Sequence, residues 1–436
     1  MNGGEPISMT NLDKELINYL PSNSPIMQYM LDEIKRQDEN IELIASENFV
    51  SDAVRAACAS VFTNKYAEGY PEHVTRISGR SGRYYGGCEN VDKLEEYCCN
   101  KWRDVFQTDY HVNVQPHSGS QANAAMYMAL CKPGDTILAL DLASGGHLSH
   151  GSPVNFSGQV YNFVHYGLDQ YGWIDYNNFY DQIIAYEPTI ILTGASAYSR
   201  IISFRQMYNL IQVAKDVVNR NRQEKGNDTP YEPYFCVDMA HIAGLIAAGD
   251  HPTPFGLADV ITTTTHKTLR GPRGALIFCK PYLAKKIDGT VFPGNQGGPL
   301  EHIIMAKAIA AEEDCTPEYH QYIHNVVANT AAMAHEFSKL GYDVVTGGTD
   351  NHLFMLDFTR RHPTWTGKWV QDTLDKYHIT LNKNCVPNET RKPSETSGVR
   401  IGCAAMTTKG YTKEDFIKVA HDIDNILKEE SKKLEK

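Results

Sequence analysis

A lysine that ends a threonine-rich run is the residue with the clearest chemical potential in this sequence. Residues 262–265 are four threonines, His266 and Lys267 follow, and residues 271–274 form a glycine-rich turn. β-Branched residues favour strands, so Lys267 is predicted just past a strand end, where open α/β sheets place their ligands. A partly desolvated lysine loses its proton more easily and can join an aldehyde as a Schiff base. An isolated lysine of this kind is more often a surface residue, so the other candidate residues decide.

Two further segments could hold the other ends of an aldehyde cofactor. Residues 115–126 read as a loop that opens a helix, where Ser118 or Ser120 could cap and free N–H groups could bind a phosphate. Asp238 follows an apolar run and could pair with a pyridinium nitrogen. Taken alone, the first segment is better explained as a plain helix cap, and Asp238 is equally well explained as a cap of the next turn.

His147 and Arg400 complete the candidate constellation. His147 lies among glycines, where its ring could stack on a planar cofactor, although a lone loop histidine is more often simply solvated. Arg400 lies between small residues and could bind a substrate carboxylate or form a structural ion pair. The phosphate cradle, the acid, the lysine and the arginine occur in the order expected of pyridoxal phosphate enzymes with the aspartate-aminotransferase-type fold. That combination is far more specific than any one part.

Length and composition exclude several classes of protein. The 436 residues suggest about two domains, and 42% hydrophobic with 21% charged residues is typical of soluble globular proteins. A net charge of −11 without a long basic run argues against nucleic acid as a partner. Neither a signal peptide nor an apolar stretch of membrane-spanning length is predicted. Ten cysteines without C-x-x-C spacing favour reduced thiols in the cytoplasm over a disulfide or metal framework.

The elements that must position these residues follow an α/β pattern. Short apolar strands alternate with helices between about residues 41 and 298, which predicts a mostly parallel sheet covered on both faces. The predicted strands of this part are residues 136–140, 189–193, 234–238, 259–265 and 275–279, with a crossover helix at 207–222. A smaller unit follows, with strands at 352–358 and 378–381 and a closing helix at 412–436. The predicted division is an N-terminal arm (1–45), a large domain (46–310) and a small C-terminal domain (311–436).

Over nearly its whole length the chain resembles the serine hydroxymethyltransferase family. The matching segments are residues 41–49 (IELIASENF), 65–71 (KYAEGYP), 83–87 (RYYGG), 264–274 (TTHKTLRGPRG) and 292–299 (FPGNQGGP). The resemblance implies the type I pyridoxal phosphate fold, with a seven-stranded, mostly parallel sheet, a smaller α/β domain and an arm. It also implies reversible conversion of L-serine and tetrahydrofolate to glycine and 5,10-methylenetetrahydrofolate, by a cytoplasmic homodimer with shared active sites that could pair into a tetramer.

The same resemblance implies roles for individual residues. Lys267 would hold the cofactor, Asp238 would pair with its ring nitrogen, and His147 would stack on its ring. The other cofactor contacts would be Ser118, Gly119, Ser120, His241 and His266, with Gly297 and Gly298 from the neighbouring subunit. The amino acid would be bound by Ser46, Tyr66, Glu68, Tyr85 and Arg400, with Glu68 and Thr264 also in the catalytic set. The folate would contact Glu68, Tyr84, Leu142, Leu148 and Asn384.

Two segments depart from the family pattern. Residues 72–82 replace a two-residue connection, and Arg76 and Arg80 within them could meet the polyanionic tail of a polyglutamylated folate. A benign loop extension is slightly favoured, because surface insertions cost little free energy. Residues 403–405 (CAA) stand where Thr-Pro-Ala is common, and Lys409 replaces a common arginine. Carboxylate binding is expected to survive this second departure, because Arg400 is retained.

Two other functions remain open. A folate-independent aldolase or transaldolase for threonine-like β-hydroxy amino acids would share the cofactor, and the insertion at 72–82 is the main argument for it. Retention of Tyr84, Asn384 and the loop 383–387 favours the folate enzyme. A non-catalytic protein on the same scaffold is a distant third, because Lys267 and Asp238 are both present.

Overall fold

The strands of the protein form three sheets. The structure is a computed structural model that describes residues 9–72 and 82–434. In chain order the strands are β1 (Ile41–Glu42), β2 (His111–Asn113), β3 (Thr136–Leu140), β4 (Asn162–Tyr166), β5 (Ile190–Thr193), β6 (Tyr234–Asp238), β7 (Val260–Thr264), β8 (Ala275–Cys279), β9 (Asp343–Val344), β10 (Leu353–Asp357), β11 (Ile379–Thr380), β12 (Asn382–Asn384) and β13 (Gly398–Gly402). The strands predicted at 352–358 and 378–381 contain β10 and β11, whereas β1 and β9 gave no clear signal, since two residues cannot establish an alternation.

The largest sheet has seven strands in the order β2-β8-β7-β6-β5-β3-β4. Strand β8 runs antiparallel to both of its neighbours, and the remaining pairs are parallel. Every residue of β5, β7 and β8 is buried, as expected for strands covered on both faces. The predicted mostly parallel sheet is confirmed, and the five strands predicted within it differ from the observed ones by at most one residue at each end.

Helices cover both faces of this sheet and extend beyond it. They are α1 (Asn11–Tyr19), α2 (Pro25–Glu39), α3 (Asp52–Cys58), α4 (Glu89–Phe106), α5 (Gly119–Leu130), α6 (Phe156–Val160), α7 (Tyr176–Tyr186), α8 (Phe204–Glu224), α9 (Ala243–Ala248), α10 (Ala284–Val291), α11 (Glu301–Asp314), α12 (Pro317–Lys339), α13 (Gly367–Asp375), α14 (Ala404–Thr408) and α15 (Lys413–Leu434). The predicted crossover helix at 207–222 lies within α8, and the predicted polar helical arm contains α1 and α2.

A second, smaller unit is built on a four-stranded antiparallel sheet in the order β12-β13-β10-β9. Strands β1 and β11 form a separate parallel pair beside it. Its core contains Phe337 from α12 and Phe416 from α15, together with Leu43, which follows β1. Leu43 therefore packs into the smaller unit although it lies within the predicted arm. The boundaries predicted at residues 45 and 310 stay predictions.

Three further properties bear on the class of protein. All ten cysteines carry free thiols, and six of them are buried. Within residues 9–72 and 82–434, no helix combines the length and the apolar character that crossing a bilayer requires. In the same residues, no group of three or more His, Cys, Asp or Glu side chains is arranged to hold a metal ion.

Leu43 should contribute strongly to the stability of the smaller unit. Its side chain is fully buried, its N–H donates to Thr380 O at 2.7 Å and its carbonyl accepts from Gly402 N at 2.8 Å. We expect Leu43→Ala to lower the free energy of unfolding by about 2–5 kcal/mol, because the truncation leaves a cavity. Urea unfolding checks this, with Val154→Ala as the control, since Val154 is 82% exposed. Equal unfolding midpoints for the two variants would contradict the packing assigned to Leu43.

Candidate active site

A cavity of about 370 Å³ opens at the carboxyl ends of the parallel strands. Lys267 lies three residues beyond the end of β7, and its Nζ donates to Thr264 Oγ1 at 3.0 Å. The Asn48 side-chain amide donates to the Lys267 carbonyl at 2.9 Å and fixes the backbone there. The predicted site residues that line the cavity are Ser46, Ser118, Gly119, Ser120, His147, Asp238, His241, Thr264, His266, Lys267 and Arg400. The cavity thus brings together most residues singled out from the sequence.

The environment of Lys267 makes its amine a competent nucleophile. Burial lowers the pKa of Lys267 to about 8, and the positive charges of Arg400 and Arg273 act in the same direction. The negative charge of Asp238 opposes them without restoring the ordinary value. The unprotonated amine that aldehyde capture requires is therefore far more abundant near neutral pH than for an ordinary lysine.

Asp238 ends strand β6 and is one of two acidic residues that line the cavity, with Glu47. Its Oδ2 accepts from Asn123 Nδ2 at 2.9 Å and lies 3.0 Å from His150 Nε2, while its Oδ1 accepts from Ala240 N at 3.0 Å. Burial alone would raise the pKa of Asp238, but the hydrogen bonds and the charge of His150 outweigh burial and hold that pKa below its usual range. Asp238 therefore stays ionised and can stabilise a cationic ring nitrogen.

His147 presents a neutral ring to the same cavity. Burial is the largest cause that lowers the pKa of His147, to about 4, and His150 adds to it. His147 Nδ1 lies 2.7 Å from Ser149 Oγ, which fixes the ring in place. Gly145 lets this loop pass close to the neighbouring segment, because it has φ +101° and a Cβ there would lie 2.5 Å from Ala197 O. An uncharged, fixed ring is suited to stacking on a planar group.

The part of the cavity beside the N-terminus of α5 has the features of an anion site. Ser118 caps α5 by accepting from Gln121 N at 3.3 Å. Because Ser118, Gly119 and Ser120 line the cavity, the N-terminus of the helix faces it. Gly119 allows close approach of the helix to β7, since a Cβ would lie 2.8 Å from Thr264 Cγ2. His266 Nδ1 is buried without a hydrogen-bond partner in the described residues, and Arg273 adds a positive charge. These donors fit the phosphate of the cofactor implied by the sequence.

Arg400 is a buried, positively charged side chain that lines the cavity. It lies on β13 of the smaller sheet and is only 9% exposed. Its Nε donates to Asn382 Oδ1 at 3.1 Å and its Nη1 donates to Ser196 O at 2.6 Å. Burial lowers the pKa of Arg400 to about 10, which leaves it charged at neutral pH. Throughout residues 9–72 and 82–434 it forms no ion pair, so a bound carboxylate would supply the missing negative charge.

Six of the remaining predicted residues fall in a second cluster rather than in this cavity, namely Tyr66, Glu68, Tyr84, Tyr85, Gly297 and Gly298. Tyr66 OH donates to Glu68 Oε1 at 3.3 Å, and the rings of Tyr66 and Tyr85 meet edge to face at 5.2 Å. A Cβ on Gly297 would lie 3.3 Å from Glu68 Oε1, and one on Gly298 would lie 3.2 Å from the Tyr66 ring. Glu68, Tyr84 and Gly297 line a separate cavity of about 610 Å³. Within one chain, this cluster does not meet Lys267.

The predicted folate residues are spread over the surface around both cavities. Tyr84 is 76% exposed, and Leu142 and Leu148 are 44% and 49% exposed. Asn384 lies on β12, which pairs with the Arg400 strand, and its amide donates to Cys385 O at 2.7 Å. Arg76 and Arg80 of the insertion lie outside the described residues. At the second departure from the family pattern, Ala404–Thr408 still forms helix α14 without the family's proline.

Sequence reasoning missed several residues that the cavity contains. Asn123 and His150 hold Asp238, although Asn123 lies in the segment 115–126 already singled out and His150 lies three residues after His147. Their polar side chains near glycines were a signal that could have been followed. Ser196 holds Arg400 through its backbone carbonyl, and a backbone contact leaves no trace in the residue type.

Capture of an aldehyde by Lys267 should depend on pH with a midpoint near 8. The amine attacks only when unprotonated, so the capture rate should rise as pH increases through about 8 and then level off. Stopped-flow mixing of cofactor-free protein with pyridoxal phosphate measures this rate, and Lys267→Ala is the control that should show no capture. A rate that still rises steeply above pH 10, as for an ordinary lysine of pKa 10.5, would contradict the assigned environment.

A comparison of the chain with models of protein families supports the assignment independently of the geometry. The model described as serine hydroxymethyltransferase matches residues 21–423 of the 436. This family comprises hydroxymethyltransferases that depend on pyridoxal phosphate and use tetrahydrofolate as cosubstrate, in one-carbon, glycine and serine metabolism. The α/β architecture with its seven-stranded sheet agrees with the type I fold of these enzymes. By sequence and by fold, the chain belongs to the serine hydroxymethyltransferase family.

Proposed function

We propose that this protein interconverts L-serine and tetrahydrofolate with glycine and 5,10-methylenetetrahydrofolate. The observation that carries the proposal is Arg400, a buried cation without an ion pair in the described residues, which shares one cavity with Lys267 and Asp238. An amino acid has a carboxylate that can pair with Arg400 and an amino group that can face Lys267 in the same cavity. Pyridoxal phosphate, when bound, supplies an electron sink for charge that develops at the α carbon of the amino acid.

The cavity residues divide the work of holding the cofactor. The N-terminus of α5 at Ser118 and Gly119, with His266, binds the phosphate. Ionised Asp238 stabilises the protonated ring nitrogen. The neutral ring of His147 would pack against the cofactor ring. Lys267 would hold the cofactor at its aldehyde carbon, and a pKa near 8 would suit its Nζ to proton transfer at the substrate.

Arg400 orients the amino acid for bond cleavage. A guanidinium that grips both carboxylate oxygens fixes rotation about the bond to the α carbon, so one substituent is held in the reactive direction. Asn382 and Ser196 hold the guanidinium in turn, at 3.1 and 2.6 Å. Ser46 lines the same cavity. Specificity for amino acids then follows from a positioned charge rather than from apolar shape.

A homodimer accounts for the separation of the two clusters. Glu68 and Tyr66 lie beside Gly297 and Gly298 in a cavity of their own, and Tyr66 and Tyr84 are largely exposed in the single chain. In a dimer with shared sites, this cluster of one copy would complete the Lys267 cavity of the other. Glu68 would then take and return the proton of the serine hydroxyl. The exposed Tyr84, Leu142 and Leu148 would contact the folate, and the free thiols suit a reducing cytoplasm.

Transfer of the hydroxymethyl carbon to folate tests the proposed function. Serine labelled at that carbon should pass its label to tetrahydrofolate in a one-to-one ratio with the glycine formed. Omission of tetrahydrofolate should nearly abolish glycine formation from serine. The opposite result, rapid folate-independent cleavage of threonine-type β-hydroxy amino acids with no transfer from serine, would establish the aldolase instead.

Arg400→Ala should weaken amino-acid binding while leaving the cofactor bound. Loss of a charge-assisted pair removes about 1.5–3 kcal/mol, or roughly 10- to 100-fold in affinity. Titration of the holoenzyme with glycine, followed by the change in the cofactor's visible absorbance, measures the dissociation constant. Arg205→Ala is the matched control, because Arg205 is an exposed arginine on α8. Unchanged glycine affinity in Arg400→Ala would remove Arg400 from the substrate site.

A further inference from the structure

Lys307 is a buried ammonium whose hydrogen bonds all end on backbone carbonyls. It lies in α11, is 1% exposed, and its Nζ donates to Val114 O at 2.7 Å, Pro116 O at 3.0 Å and Ala275 O at 2.9 Å. These bonds use all three donors of the ammonium. In the described part of the chain no carboxylate forms an ion pair with it. Buried charges are normally paired, so this arrangement is unusual for a lysine.

The three carbonyls belong to the two segments that build the cofactor cavity. Val114 and Pro116 begin the segment that leads to Ser118 and α5. Ala275 begins β8, immediately after the turn that returns from Lys267. The two segments also meet directly, because Ala275 N donates to Pro116 O at 3.2 Å. Lys307 therefore ties the entry of the phosphate-binding loop to the exit of the Lys267 loop.

The surroundings of Lys307 are shaped for a cationic side chain. A Cβ on Gly274 would lie 2.5 Å from Lys307 Cε, so the absence of a side chain there makes room for the lysine stem. Burial lowers the pKa of Lys307 to about 8, while nearby Cys98, Glu95, Cys99 and Glu301 act to raise it. The ammonium form therefore predominates at neutral pH.

The carboxylates nearest to this region are already engaged, or their charge is disfavoured. Glu95 Oε1 pairs with Arg83 Nη2 at 2.6 Å. Burial, reinforced by the neighbouring Glu95, raises the pKa of Glu301 and so disfavours its charge, and its Oε1 also lies 3.8 Å from Arg83 Nη2. The carbonyl dipoles are consequently the direct partners of the Lys307 charge.

We propose that Lys307 is a positioning residue that acts as a tethered monovalent cation and holds the phosphate loop and the Lys267 loop together. The proposal rests on the proposed function only in assigning these loops to cofactor binding. Carbonyl oxygens grouped around one point are the ligands with which proteins replace the water shell of potassium. Lys307 supplies the same charge from a side chain, and shortening that side chain should leave a site for a free cation.

Lys307→Ala with added alkylammonium ions tests the proposal. The substitution removes a fragment equivalent to n-propylammonium, so the variant should bind pyridoxal phosphate at least roughly tenfold more weakly and melt at a lower temperature. Adding n-propylammonium chloride should recover most of the lost affinity and raise the melting temperature of the cofactor-free variant. Tetramethylammonium chloride at equal ionic strength should do neither, because it cannot donate hydrogen bonds. Equilibrium dialysis and thermal melting are the readouts.

Two comparisons keep the outcome decisive. Lys307→Met fills the space without charge, so it should fold, bind the cofactor more weakly than wild type and ignore n-propylammonium. Lys93→Ala, an exposed lysine on α4, should match wild type in every measurement. Wild-type cofactor affinity in Lys307→Met, or no response of Lys307→Ala to n-propylammonium, would overturn the proposal. Failure of the wild-type protein to bind pyridoxal phosphate would overturn the proposed function instead, while rescue of the melting temperature would still test Lys307.

Discussion

Burial of positive charge at the ends of parallel strands is the constraint on which the rest of this site depends. Lys267 and Arg400 share one cavity, and Asp238 is the ionised acid that opposes them there. Desolvation lowers the pKa of both cations. The lower pKa makes Lys267 more reactive, whereas Arg400, with a pKa of about 10, is still charged at neutral pH. The cavity is thus complementary to ligands that bring negative charge, namely a phosphate and a carboxylate.

The fold supplies this complementarity from two separate sheets. Lys267 and Asp238 follow strands of the seven-stranded sheet, whereas Arg400 lies on the four-stranded antiparallel sheet. A third group, around Glu68, lies apart from the cavity in the single chain. Each group is fixed locally by its own hydrogen bonds.

Much of the fold could be predicted because local pattern and burial agree. The runs at β3, β6 and β8 were predicted with their observed bounds, and Lys267 was placed just past its strand. Leu43 was assigned to the arm because a two-residue strand leaves no periodicity to detect. The partners of Asp238 were missed for a different reason. Asn123 and His150 reach it from separate segments, and that approach is decided by tertiary packing rather than by residue type.

The segment after β1 gives the smaller unit a mechanical connection to the cavity. Leu43 O accepts from Gly402 N at 2.8 Å, so the strand that carries Arg400 and the segment that carries Ser46 are joined by backbone. Both residues should therefore move as one rigid piece, while the phosphate and ring contacts stay with the other sheet. Contacts from this piece to a bound ligand can consequently loosen or tighten without disturbing the contacts that the other sheet makes to the phosphate and ring of the cofactor.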